Sequence, residues 1–219
     1  MTTTTTHPRT PSPERRRRLP AQARRTQFLD TAAELVAESG TDAITMEGVA
    51  ARAGVSKALG YRYFDNADDL LLALHEREMA EVGARVGAAM AQAVTFEDTI
   101  RASLTTWLDI LAERGAVITN LMQARPVSGP VERQSREIHA SVSEFYGTKG
   151  AESFGLTPRT ATAAASILLS GLNGLIDCWV NRQMPRRELI DIYTTMCVGA
   201  MQALADQPPL IGGPSTAPH

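Results

Sequence analysis

The chain has 219 residues, of which 43% are hydrophobic, and a net charge of −2. That length and composition suffice for a real core, arranged as one large domain or as a small one followed by a larger one. The longest uncharged run, residues 160–176, contains Thr, Ser and Asn and is shorter than the roughly 20 apolar residues a spanning helix needs, so no membrane contact is expected.

The N-terminus has no apolar stretch behind its arginines, so it does not read as a secretory signal and the expected location is the cytoplasm. Cys178 and Cys197 fit no CxxC or zinc spacing and one pair makes no disulfide framework; they read as small core or interface residues. Residues 1–29 hold seven arginines against one acid, a local balance of +6 that leaves −8 for the remainder. The "RRRR" block, which includes Arg16, Arg17 and Arg18, sits among Pro and Thr and lacks the apolar residues needed to order itself. Residues 1–20 are therefore expected to be a disordered basic arm, either a solvated tail or a polyanion-binding segment.

From Ala21 to Ser39, Phe28, Leu29, Ala32, Ala33, Leu35 and Val36 recur at helical spacing and Gly40 supplies a stop. Thr45 is placed to cap a short second helix, with Ile44 and Val49 as a hydrophobic staple. Gly54 suits a tight turn of positive φ, and Ser56 is placed to cap a helix that begins at Lys57. Helix, Gly turn, helix is the helix-turn-helix unit, whose second helix enters the DNA major groove. In that setting Lys57 reaches a phosphate or a guanine edge, and the Arg62 fork matches guanine O6 and N7. Tyr61, Tyr63, Thr45 and Ser56 offer hydroxyl donors to phosphates, while Ala58 and Leu59 complete the presented face. Phe64 is expected to anchor this face to a core with Phe28 and Val49, and the two tyrosines could equally serve packing.

The stretch from about Arg24 to Leu74, with "TAAELVAESG", "VAARAGVSK", "YRYF" and a leucine run in order, resembles the N-terminal domain of the TetR family of bacterial transcriptional regulators. The resemblance implies an all-α protein: a three-helix helix-turn-helix domain, residues 21–66, followed by a larger helical ligand-binding and dimerisation domain, residues 67–206. It implies a homodimer on a double-stranded DNA operator and a small-molecule effector that lowers operator affinity. Two positions depart from the family pattern. Leu59-Gly60 stands where a small or hydroxyl residue and then a large apolar one are usual; Gly60 costs about 1 kcal/mol of helix propensity relative to Ala and is expected to give no core anchor. Ala67 replaces the lysine that usually touches a phosphate, a loss the arginine arm offsets at phosphates or in a narrow minor groove.

Further on, Leu71, Leu74, Met79, Val82, Val86 and Met90 predict a long connecting helix. Ile100 to Leu111 predicts another that ends near Gly115, Val117–Ala124 a shorter one stopped by Pro126, and Val131–Phe145 one that fades at "YGTKG". Trp107, Leu111, Met122 and Phe145 are the candidate apolar walls of an effector pocket, with Arg125 and Asn173 as polar contacts; such a lining suits a lipophilic effector. Residues 157–183 read as one helix apolar over a wide arc, with Ile167, Gly171, Gly174 and Cys178 on a face of small residues. With Tyr193, Met196, Cys197 and Ala200 of the last helix, this face is predicted to pair with its copy in a two-fold four-helix bundle. Residues 207–219 read as a disordered tail.

An enzyme is the rival class. His7 and His219 lie in the tails, His75 and His139 stand alone on helices, and no P-loop, GxGxxG or nucleophile elbow occurs. No catalytic residue, metal site or cofactor is expected. A membrane-surface role for the arm would need an apolar face that it lacks.

Overall fold

The computed structural model describes residues 20–123, 129–181 and 184–207; the arm with Arg16, Arg17 and Arg18, the candidate contact Arg125 and the residues from 208 onward lie outside these ranges. The described chain runs through α1 (Ala21–Ser39), a 3-10 turn at Thr41–Ala43, α2 (Met46–Arg52), α3 (Lys57–Gly60) and α4 (Ala67–Met90). It continues through α5 (Phe96–Gln123), α6 (Gly129–Phe154), α7 (Pro158–Ser170), α8 (Leu172–Val180) and α9 (Arg186–Ala205). No strand occurs among the described residues, and the predicted all-α order of a helix-turn-helix unit and a larger helical region holds.

The first core forms where the sequence periodicity puts it. Phe28, Leu29, Ala32 and Val36 of α1 meet Met46, Val49 and Ala50 of α2, Phe64, and Leu70, Leu71 and Leu74 of α4. Val117 and Leu121 of α5 enter the same cluster, and the Asn120 side-chain amide donates to the Val36 carbonyl at 2.8 Å. The core of the N-terminal unit is therefore shared with the larger region. Thr45 caps α2, its hydroxyl oxygen accepting from the Gly48 amide at 3.0 Å. Removing one such cap typically costs about 1 kcal/mol, so Thr45→Ala is expected to lower the urea midpoint by that equivalent while the m-value stays the same; an unchanged midpoint would show that the cap is redundant. Asn66 caps α4 in the same way, through Asp69 N at 2.8 Å. Ser56 occupies the N-cap position of α3 in extended backbone, but its side chain makes no capping bond.

The break expected near Gly115 is present one residue earlier: within residues 96–123 two helical pieces meet at Arg114, whose backbone leaves helical geometry (φ −134°, ψ 19°). Two other predicted boundaries change. Helix α6 does not fade at "YGTKG" but continues to Phe154. A Cβ at Gly147 would sit 2.6 Å from Thr162 Cα. This glycine is thus where α6 and α7 bring their backbones together, and the sequence signal of a helix stop is a signal of close approach. The single helix expected over 157–183 is divided at Gly171 into α7 and α8.

A second core joins Leu104, Leu108, Leu111 and Ile118 of α5 to Leu175 of α8 and Leu189 of α9. A third joins Phe96, Ile100, Ala164, Ala165, Cys197 and Met201. Cys197 belongs to this interior and is 2% exposed; burial pushes its thiol up to about 11. By length and composition, Pro158–Trp179 is apolar enough to cross a membrane, and little of its most apolar stretch is buried within the chain.

Candidate nucleic-acid interface

The segment after the Gly54 turn, where φ is 68°, presents most of the predicted DNA contacts. Helix α3 is four residues long, and its hydrogen bonding continues as turns: Tyr61 N to Lys57 O, Arg62 N to Leu59 O and Phe64 N to Gly60 O at 3.1–3.2 Å. Lys57, Ala58, Tyr61 and Arg62 are exposed, as are Ser56 and Thr45, whereas Leu59 and Tyr63 are half-buried. The Thr45 hydroxyl keeps its proton free for a phosphate, since capping uses only its oxygen.

What holds this segment in place is aromatic packing. Phe64 meets Phe28 edge-on with ring centroids 6.2 Å apart, and Tyr63 lies 6.0 Å from the same ring. The packing half of the two readings of Tyr63 is therefore met within the chain. Gly60 is buried against this cluster: a Cβ there would lie 3.1 Å from Met46 Cε and 3.4 Å from Phe28 Cε1. The expectation that Gly60 gives no core anchor is thus corrected. Its bare backbone lets Met46 and Phe28 occupy the space that a large apolar side chain would fill. Outside this core, Gln27 donates to the Ala53 carbonyl at 3.1 Å, and Arg52 pairs with Glu38 through both guanidinium nitrogens at 3.0 and 2.6 Å. These contacts tie the α2 side of the turn to α1, as Tyr63 and Phe64 tie the side that follows it.

Electrostatically the surface is not uniform. Among the described residues Arg62 makes no ion pair, whereas the Lys57 ammonium is paired with the Glu47 carboxylate of α2 and lies 5.6 Å from the Tyr61 ring centroid. The hydrogen bond to Lys57 holds Glu47 below the usual carboxylate range, and the same bond raises Lys57. Sequence reasoning passed over Glu47; the signal was an acid in the first turn of α2, the first helix of the helix-turn-helix pair.

Of the candidate effector contacts among the described residues, two share one apolar cluster and three reach the surface. Trp107 and Leu111 pack in the second core, Met122 and Phe145 are 45% and 40% exposed, and Asn173 is exposed. An open groove lined by Arg101, Thr105, Asp109, Arg186, Arg187 and Asp191 includes none of them. Of the predicted pairing face, Ile167 is 74% and Met196 56% exposed; Gly171 and Gly174 are exposed, while Cys178 and Ala200 are half-buried. Cys197 turns inward instead, and half-buried Tyr193 donates its hydroxyl to the Leu168 carbonyl at 2.7 Å.

Residues 28–74 match the family model described as bacterial regulatory proteins, tetR family. An uncharacterised HTH-type transcriptional regulator of Mycobacterium tuberculosis is 29% identical over 154 residues, covering 68% of this chain and 76% of that one. The HTH-type transcriptional activator FasR of Mycolicibacterium smegmatis is 32% identical over 94 residues, 43% of each chain. The fold is that of a solved TetR-like transcriptional regulator from Rhodococcus sp. RHA1, with a TM-score of 0.70 at 19% identity over 87% of this chain and all of that one. Together with the exposed cationic segment behind a glycine turn, these similarities identify residues 28–74 as a tetR-family DNA-binding domain and support a TetR-family transcriptional regulator.

Proposed function

We propose that the chain acts in the cytoplasm as a homodimeric repressor on a two-fold symmetric operator, released from it by a small lipophilic effector. Residues 21–66 read the operator and residues 67–206 sense the effector and dimerise. The observation that carries this reading is the exposed apolar surface of α7, α8 and α9: Ile167 and Met196 stand largely in solvent, and nothing lies within 4 Å of where a Cβ would be on Gly174. A second copy seated there would remove that surface from water and give the apolar Pro158–Trp179 stretch a protein partner. It would also supply the second reader, because one recognition segment covers one half-site.

At the DNA, Arg62 reads a base edge, Lys57, Ser56, Thr45, Tyr61 and Tyr63 contact phosphates, Ala58 and Leu59 offer apolar contact to a thymine methyl, and Arg16, Arg17 and Arg18 add backbone contacts from the arm. For the effector, Trp107 is the favoured contact: its indole Nε1 is buried without a hydrogen-bond partner among the described residues, inside an otherwise apolar cluster. A lipophilic molecule carrying one acceptor would satisfy it. Selection of bound duplexes from a random pool is expected to return an inverted repeat, and sedimentation a dimer. A motif without two-fold symmetry would sink the dimeric reading.

Activation is the second reading, favoured by the similarity to FasR, which is named an activator. A reporter carrying the selected motif upstream of its promoter separates the two, since expression falls with a repressor and rises with an activator.

A further inference from the structure

The pair between Glu47 and Lys57 places an acid inside the surface that must approach a polyanion. Both side chains are more than half exposed, and their charges cancel locally. Thr45, two residues before Glu47, and Tyr61, whose ring lies beside the same ammonium, are phosphate-contact candidates, so Glu47 lies within a side chain's reach of the DNA backbone.

We propose that Glu47 is an autoinhibitory residue of the DNA-binding surface: its carboxylate competes with DNA phosphate for the Lys57 ammonium and thereby weakens binding and flattens its salt dependence. This rests on the DNA-binding reading of α2 and α3. In the free protein Lys57 is neutralised internally. When a phosphate takes the ammonium, DNA releases a condensed cation, but the abandoned Glu47 carboxylate faces the backbone and recruits one. The net counterion release of that contact is close to nil. Without the carboxylate, the same contact releases its cation in full, which steepens the slope of log affinity against log salt by about 0.9 for one phosphate. Tyr61 has a distinct part. Its ring keeps the ammonium beside α3 as the partner changes, so the lysine exchanges one anion for another without being freed into solvent.

The test uses the full-length chain, a random-sequence duplex and a potassium chloride series. Glu47→Gln is expected to bind more tightly at every salt concentration in the series and to steepen the slope by about 0.9, which amounts to about a threefold larger loss of affinity for a fourfold rise in salt. In a Lys57→Met background, Glu47→Gln is expected to leave the slope unchanged, because no cation exchange remains for the carboxylate to oppose. A Glu47→Gln variant with the parental slope overturns the proposal, as does a weakened one, which would make Glu47 a support for Lys57. Steepening that persists with Lys57→Met overturns it too, since the acid would then act on DNA directly. Failure of the unaltered chain to bind any duplex is a different result and removes the DNA-binding reading itself, and the proposal with it.

Discussion

Arg77→Met is expected to lower the unfolding free energy by about 3 kcal/mol, the lower end of the range for breaking a buried ion pair. Glu78, on α4, is 1% exposed, an environment that a carboxylate tolerates only when paired. Its Oε1 accepts from Arg77 Nη2 at 3.0 Å and Nε at 3.2 Å, and from Arg114 Nη2 at 2.8 Å. Arg77 also donates to Asp30 at 2.6 Å and reaches the Leu29 carbonyl at 3.5 Å, both on α1. Met keeps the apolar stem that Arg77 lays over the helix junction and deletes only the fork, so the loss isolates the ionic contribution. Arg114 remains on Glu78, which is why the expected cost stays at the lower end. Adding Glu78→Leu should recover most of it, because no buried carboxylate is then left with Arg114 as its one cation and the Arg114 guanidinium, more than a third exposed, returns to water. Urea unfolding at a fixed protein concentration makes the comparison, since dissociation of a dimer would otherwise move the midpoint. A loss below about 1 kcal/mol for Arg77→Met would mean that this cluster behaves as an ordinary surface network.

The position of that cluster would link it to the proposed function. Arg114 is the residue at which α5 leaves helical geometry, Glu78 lies on the helix that connects the DNA reader to the larger region, and Asp30 lies on α1 of the reader. A shift of α5 relative to α4 therefore changes the partners of a buried carboxylate, and through Arg77 the seating of α1. Asn120 on Val36 and the insertion of Val117 and Leu121 into the first core give α5 a second hold on the same helix. A ligand bound near Trp107, on the first half of α5, would have a packed route to the reader, provided it favours one arrangement of α5 over the other.

The reader was legible in the sequence because each of its signals is local: a glycine at positive φ, a threonine three residues before the amide it caps, and aromatics spaced to return to α1. The contacts between helices were not, nor was the break at Gly171, although the one near Gly115 was. Gly147 and Gly60 both read as weaknesses of a helix, and both prove to be sites where a neighbour needs the missing Cβ, Thr162 in one case and Met46 with Phe28 in the other. A single sequence records that a side chain is absent but not what fills its place. Cys197 shows the converse limit. Its spacing puts it near Tyr193 and Met196 on the last helix, but a rotation of about 100° per residue separates Met196, in solvent, from Cys197, in the core. The partners of Glu78 were out of reach for the same reason, since Asp30 and Arg114 are 48 and 36 residues away from it along the chain.

Arg62→Ala is expected to cost about 1–3 kcal/mol of operator affinity and to relax preference at one base pair per half-site. Its neighbours on the segment are already engaged: Lys57 is shared with Glu47, and Tyr63 and Phe64 pack on Phe28. Arg62 alone among the cations of this segment is exposed with no ion pair among the described residues, so no internal contact has to break before its fork reaches guanine O6 and N7. The anchor beneath it is buried. Phe64 and Gly60 fix the backbone on either side, and a bidentate contact gains from such preorganisation because little freedom is left to lose on binding. Binding measured against the selected motif and its single-base variants tests the assignment. If Arg62 reads a guanine, the variant loses discrimination at that position and retains it elsewhere. A uniform loss across all duplexes, accompanied by a shallower salt slope, would assign Arg62 to a phosphate and leave sequence reading to the groups that α3 presents beside it, Ala58, Leu59 and Tyr61.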